Sequence, residues 1–254
     1  LTDKDKQAEP RYTGGVASAA IPANDGSVSI NYTESNGSVS LEMSDKKVQE
    51  LIDKSVGGVA EIDVSGVKNA TSAEMPKEAL AALGDADLAV TIELPAGSIT
   101  LNQEAVDSIA GQLKGDKVSV ELLPVKKESL SDTQKQAVKA NDVILDINIR
   151  SGGQKISEFK GELEIQIPYS GPQPVAVWYL NEAGELEKVN CSFANGRVIF
   201  HLNHLSLYVL GQDTGRQEKW TNPFSDVKEK DWFYSAVKFA CESKLMNGVG
   251  NDLF

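Results

Sequence analysis

Basic residues, histidine, cysteine and long apolar runs are all scarce in this sequence, and each shortage excludes something. Lys and Arg number 25 against 37 Asp and Glu, a formal charge of −12. That balance argues against a surface that neutralises nucleic-acid phosphates or settles on an anionic bilayer. No run approaches the roughly 18 apolar residues that a spanning helix needs. The two histidines, His201 and His204, confine any chemistry that titrates near neutral pH to one place. Three apart in a strand, they point to opposite faces and do not share a metal, so no metal and no cofactor is expected. Cys191 and Cys241 fall in segments of different composition and are read as free thiols.

Familiar catalytic signatures are missing as well. There is no Walker loop, GxSxG, HExxH or paired CxxC, and GVGNDL carries Leu253 where a dinucleotide fingerprint needs its third glycine. With 37 acidic residues, carboxylate pairs at glycosidase separation arise by chance and single out nothing. What remains is a globular composition, 41% hydrophobic over 254 residues, enough for a sizeable core. The chain opens at Leu1 with neither an initiator Met nor a basic, apolar export segment, the expected look of a mature form or of an expressed fragment, so secretion is not read from this end.

The organisation predicted along the chain is α+β. Residues 1–26 mix charge, Gly, Ala and Pro and read as a flexible segment. Residues 27–124 carry a loose repeat: Met43, Val48 and Leu51, then Met75, Leu80 and Leu83, then Leu101, Val106 and Ile109 share one spacing. Each triplet predicts a strand end followed by one face of a short helix, with Ser44 and Asn102 as N-caps and Pro76 at a first helical position. Alternating strands follow each helix, giving strand–helix–strand units.

Residues 125–211 predict a mostly antiparallel β domain. VILDINIR alternates Val143, Leu145, Ile147 and Ile149 with Ile144, Asp146, Asn148 and Arg150, the pattern of a strand with one buried face, and Leu163, Ile165 and Ile167 alternate likewise. Turns are expected at 181–185 and at Asn195-Gly196. Residues 212–221 form a polar linker.

The last segment, 222–254, resembles the start of an S-layer homology module. The resemblance rests on Phe224, Asp226 and Val227 of FSDV, on Trp232, Tyr234, Ala236, Val237 and Ala240 of the first helix, and on the LMNGVG turn with Phe254. It implies an extracellular protein of a Gram-positive cell wall or S-layer, anchored through a set of such modules to an anionic secondary cell-wall polymer. It also implies a groove to which Asp226 and Trp232 contribute. The family's second helix, with its pocket Arg, would lie beyond Phe254, so weak wall binding is expected of these residues alone. Asp226 is expected to cap the first helix. Trp232, Ala236, Phe239 and Ala240 are expected to form an apolar face that docks on the β-rich domain or on a second copy. The stretch from Ile165 to Gly211 is similar to the β-rich region that precedes such modules, which implies a non-catalytic scaffold.

Two other functions are drawn from the middle of the chain. His204, Leu205 and Ser206 resemble the His-Leu-Ser/Thr tripeptide of self-cleaving domains, which implies cutting between Leu205 and Ser206 by the Ser hydroxyl. A carbohydrate- or peptide-binding surface would require exposed rings, for which Tyr169, Trp178 and Tyr179 are the candidates.

Overall fold

The computed structural model describes residues 19–214, 222–228, 230–242, 245–246, 248 and 253–254. Residues 1–18 of the segment expected to be flexible and 215–221 of the expected linker lie outside the described residues.

The chain begins with three strands, β1 (Ala19–Ala23), β2 (Val28–Ser35) and β3 (Ser38–Glu42). Three helices then link further strands. The order is α1 (Asp45–Asp53), β4 (Val59–Asp63), β5 (Ser72–Pro76), α2 (Lys77–Asp85), β6 (Ala89–Leu94), β7 (Gly97–Leu101), α3 (Gln103–Ala110) and β8 (Lys117–Pro124). The second part is richer in strand: α4 (Asp132–Ala137), β9 (Val143–Ser151), β10 (Gln154–Lys155), β11 (Glu158–Pro168), β12 (Val175–Leu180), β13 (Leu186–Val189), β14 (Cys191–Ala194), β15 (Arg197–His204) and β16 (Leu207–Gln212). Helix α5 (Tyr234–Glu242) belongs to the tail.

The strands join one mixed sheet in the order β13-β12-β16-β9-β8-β5-β3-β2-β1-β4-β6-β7-β11-β15-β14, with β10 paired to β9. The β1–β2 hairpin divides it into two limbs. Each of α1, α2 and α3 carries the chain from one limb to the other, because β3 and β5 lie in the first and β4 and β6 in the second. The parallel pairs β3/β5 and β4/β6 are the geometric result, since parallel neighbours cannot be joined by a tight turn. All other pairings are antiparallel.

One apolar core runs from Ile21 to Leu210 and draws side chains from both limbs. It is continuous across residue 125, where β8 and β9 pair antiparallel through seven positions. All nine residues of the three spaced triplets are buried in it. Ser44 accepts from Lys47 N and Asn102 from Ala105 N, capping α1 and α3. Pro76 ends β5 and precedes α2, one position earlier than expected. Leu145, Ile147 and Ile149 face this core, but Ile144 on the opposite face is also buried, in a second cluster with Leu130, Trp178 and Val209. Strand β9 is thus covered on both sides where one buried face was expected.

Residues 19–26 are structured. Ile21 and Ala23 alternate into the core, and β1 pairs with β2 at five positions but with β4 only at Ala23. Pro22, which has no N–H to give, is tolerated where the ladder is one-sided. Asn24 fastens the hairpin: its side chain donates to Leu51 O at 2.7 Å at the end of α1, and accepts from Glu61 N at 3.0 Å.

Next to it, burial and the carboxylates of Asp25, Glu93 and Asp63 raise the Glu61 carboxyl above its ordinary value of 4.5. A group raised in the folded state holds more protons there than in the unfolded chain, so it lowers stability as pH climbs from 4.5 through that raised value. Glu61→Gln is expected to remove this slope and to melt higher than the parent at neutral pH; equal melting curves for the two proteins at pH 7 and identical pH profiles would contradict the assignment.

Candidate functional site

The His201–Tyr208 stretch spans the end of β15 and the start of β16. His201 faces outward and lies 3.3 Å from Glu164 Oε2 on the neighbouring β11. His204 turns toward an aromatic group instead. Tyr208 OH donates to His204 O at 3.0 Å and lies 3.3 Å from His204 Nδ1. The network closes when Nδ1–H donates to the phenol oxygen. The Tyr179 ring meets the His204 ring edge-to-face at 4.8 Å. Tyr208 is wholly buried, and burial first, then Tyr179 and Glu187, push its phenol well above the ordinary value of 10.

His204 and Ser206 are therefore sequence neighbours with separate partners. No hydrogen bond joins the two side chains among the described residues, and Ser206 O accepts from Ile147 N at 3.0 Å. Neither Leu205 nor Ser206 has a positive φ, and the His204 ring is engaged with Tyr208.

Leu205 and Ser206 instead line a cleft of about 520 Å³, whose other walls come from the α4 region, β9, β10 and the end of β12. Asp146, Lys155, Tyr179 and Glu182 border it. These residues come from three strands and the turn after β12, so no sequence spacing announces them. Asp146 gives no distinct local signal, because Asn148 and Arg150 follow it at the same alternation in β9. Of the three rings considered for ligand stacking, Trp178 is fully buried, Tyr169 is buried, and Tyr179 alone is partly exposed.

Cys191 and Cys241 are both free. Burial raises the Cys191 thiol above its ordinary value, which lowers its reactivity.

The tail builds a small cluster of its own. Phe224, Val227 and Val237 are buried together, with Phe233, Tyr234, Cys241 and Phe254 packed against them. Asn222 folds the approach by accepting from Phe224 N at 3.0 Å and donating to Val227 O at 2.6 Å. Asp226 does not cap the helix as expected: its Oδ1 accepts from Phe254 N at 3.1 Å, tying the opening to the far end of the segment. Asp231 takes the position near the helix start, accepting from Lys228 N at 2.7 Å. The buried face also differs from the expected one. Val237 points inward, whereas Trp232 is 92% exposed and Phe239 64% exposed, so the Trp232–Phe239 face is not covered by the sheet. The helical period explains this: Phe233 and Val237, four apart, share the face that meets Phe224.

Residues 223–254 match the family model for the S-layer homology domain. No curated protein matches the chain. An S-layer homology domain is an anchoring module that binds secondary cell-wall polymers, and its presence marks a protein associated with the cell surface or cell wall. Among the described residues no helix is long and apolar enough to cross a membrane.

Proposed function

We propose that this chain is part of an extracellular, non-catalytic protein of a Gram-positive envelope, in which the large sheet is a scaffold and residues 222–254 contribute to anchoring on an anionic secondary cell-wall polymer. The observation that carries the reading is the S-layer homology match at residues 223–254, supported by a tail cluster separate from the sheet's core. Trp232, exposed beside α5, serves as a stacking surface for the polymer, and Asp226 shapes the groove through its bond to Phe254. The exposed Trp232 and Phe239 also offer a surface through which copies of the tail associate.

The test is co-sedimentation of the chain with purified Gram-positive cell walls, before and after the walls are chemically stripped of secondary polymer. Weak retention on intact walls and none on stripped walls is expected. Trp232→Ala should lower retention about fivefold or more, while Asp226→Asn, which keeps the acceptor for Phe254 N, should have a smaller effect. Equal sedimentation with both wall preparations, or none with either, would remove the anchoring role.

A further inference from the structure

We propose that the cleft between α4, the β9–β10 hairpin and the β15–β16 connection binds an uncharged, pyranose-containing saccharide. The site is remote in sequence from the wall-anchoring tail and goes beyond that reading.

The cleft has the size of a small-ligand site, about 520 Å³. Most of its bordering polar side chains have their bonding capacity unspent. Asp146, Lys155, Glu182 and the Ser206 hydroxyl make no side-chain hydrogen bond or ion pair within the protein among the described residues, although they border one cavity. Elsewhere comparable groups are engaged: Glu121 holds Arg150 at 3.1 Å, and Gln134, on the same cleft wall, donates to Asn181 O at 3.1 Å. The cleft thus presents carboxylate acceptors, an ammonium donor and a hydroxyl, while Leu130, Leu205 and the Tyr179 ring supply apolar surface.

A pyranose matches this mixture, with hydroxyls around its rim and a C–H face for the ring. Tyr179 is held for that role, because its ring is fixed edge-to-face against His204 at 4.8 Å and lies 6.1 Å from Tyr208. An aromatic fixed in advance loses little freedom on binding. Charge decides between sugar classes. Two carboxylates, Asp146 and Glu182, and one ammonium, Lys155, border the cleft on a chain of net charge −12, so an anionic sugar is repelled and a neutral one is accepted.

The experiment is a titration of the full chain with cellobiose, maltose and N,N′-diacetylchitobiose, each to about 10 mM, the range of weak single-site affinities. Glucuronic acid is the charged control, and amide chemical shifts are the readout. Saturable shifts at Tyr179, Glu182, Leu205 and Ser206 with at least one neutral disaccharide, and weaker ones with glucuronic acid, are expected. Tyr179→Ala should weaken binding about tenfold. The pair Asp146→Asn with Glu182→Gln, chosen because neither group takes part in the fold's hydrogen bonding, should do the same while leaving the melting curve unchanged. Silence from all three disaccharides, tighter binding of glucuronic acid, or shifts confined to residues 222–254 would overturn the assignment. So would saturable binding of tetralysine in the absence of any response to sugar.

Discussion

Gly161→Ala is expected to destabilise the fold by about 3 kcal/mol or more. Gly161 sits at φ +83° in the irregular part of β11, where the pairing with β15 shifts register. A Cβ there would lie 2.4 Å from Ala105 N, 2.4 Å from Asn102 Oδ1 and 2.9 Å from Glu104 C. Those atoms form the start of α3. Asn102 Oδ1 accepts from both Ala105 N and Glu162 N, at 2.9 and 3.1 Å, and so ties the helix cap to the strand. Two of the three atoms struck are backbone, which cannot rotate away, so the strand must leave the helix or the cap must break. A control separates collision from backbone strain: Gly153 has φ +77°, and a methyl group added there would meet nothing within 4 Å, so Gly153→Ala should cost only the left-handed penalty of about 1–2 kcal/mol. Urea unfolding followed by circular dichroism measures both, and similar midpoints for the two variants would show that α3 and β11 are not locked together.

Trp178→Ala is expected to lose about 3–5 kcal/mol, the range for removing a large buried aromatic. Trp178 is 0% exposed and anchors the second cluster, where Leu130, Val138 and Leu186 close over β12 and β9. This cluster has eight buried members, so one indole is a large share of what holds residues 125–139 against the sheet. The loss should appear in two ways: a lower melting temperature, and faster amide exchange at Leu130 and Val138 than at Val90 or Ile99, which lie in the main core. Uniform acceleration across both clusters would mean that they unfold as one unit and that the second cluster has no separate stability.

Much of the fold was legible because local rules and burial agreed. The Met43–Val48–Leu51 spacing and its two counterparts read as strand ends and helix faces, and burial of all nine residues follows from that pattern. The caps at Ser44 and Asn102 needed only a short polar side chain before an apolar period. The alternation of Leu163, Ile165 and Ile167 was equally plain, and the turn at Asn195-Gly196 has positive φ at both residues, as that dipeptide favours. The Asn36-Gly37 turn between β2 and β3 carries the same signal but lies in a stretch of short polar residues that masks the flanking strands.

The S-layer homology resemblance was legible for a different reason. The order of Phe224, Asp226, Val227, Trp232 and the LMNGVG turn is a pattern of residue types, and it needs no knowledge of which face is buried. Structure changed the roles within it: Asp226 bonds Phe254 N instead of capping α5, and Val237 instead of Trp232 points inward. A helical period states which residues share a face. It does not state which of two apolar faces a neighbour will cover.

The sequence by itself determined the scarcity of catalytic groups, which is composition, the S-layer homology signature, which is an order of residue types, and the helix and strand periods and the caps, which depend on residues within a turn or two of one another. Tertiary structure alone decided that β8 and β9 join a single sheet, that β1 enters it despite Pro22, and that Asp146, Lys155, Tyr179, Glu182 and Ser206 meet at one cleft. The β8–β9 pairing and the cleft join segments distant in the sequence, and β1, beyond its local hairpin with β2, pairs with the rest of the sheet only at Ala23–Ile62. The free energy of such a pairing depends on which edges remain open and what shares the core, and neither is encoded in any local stretch of chain.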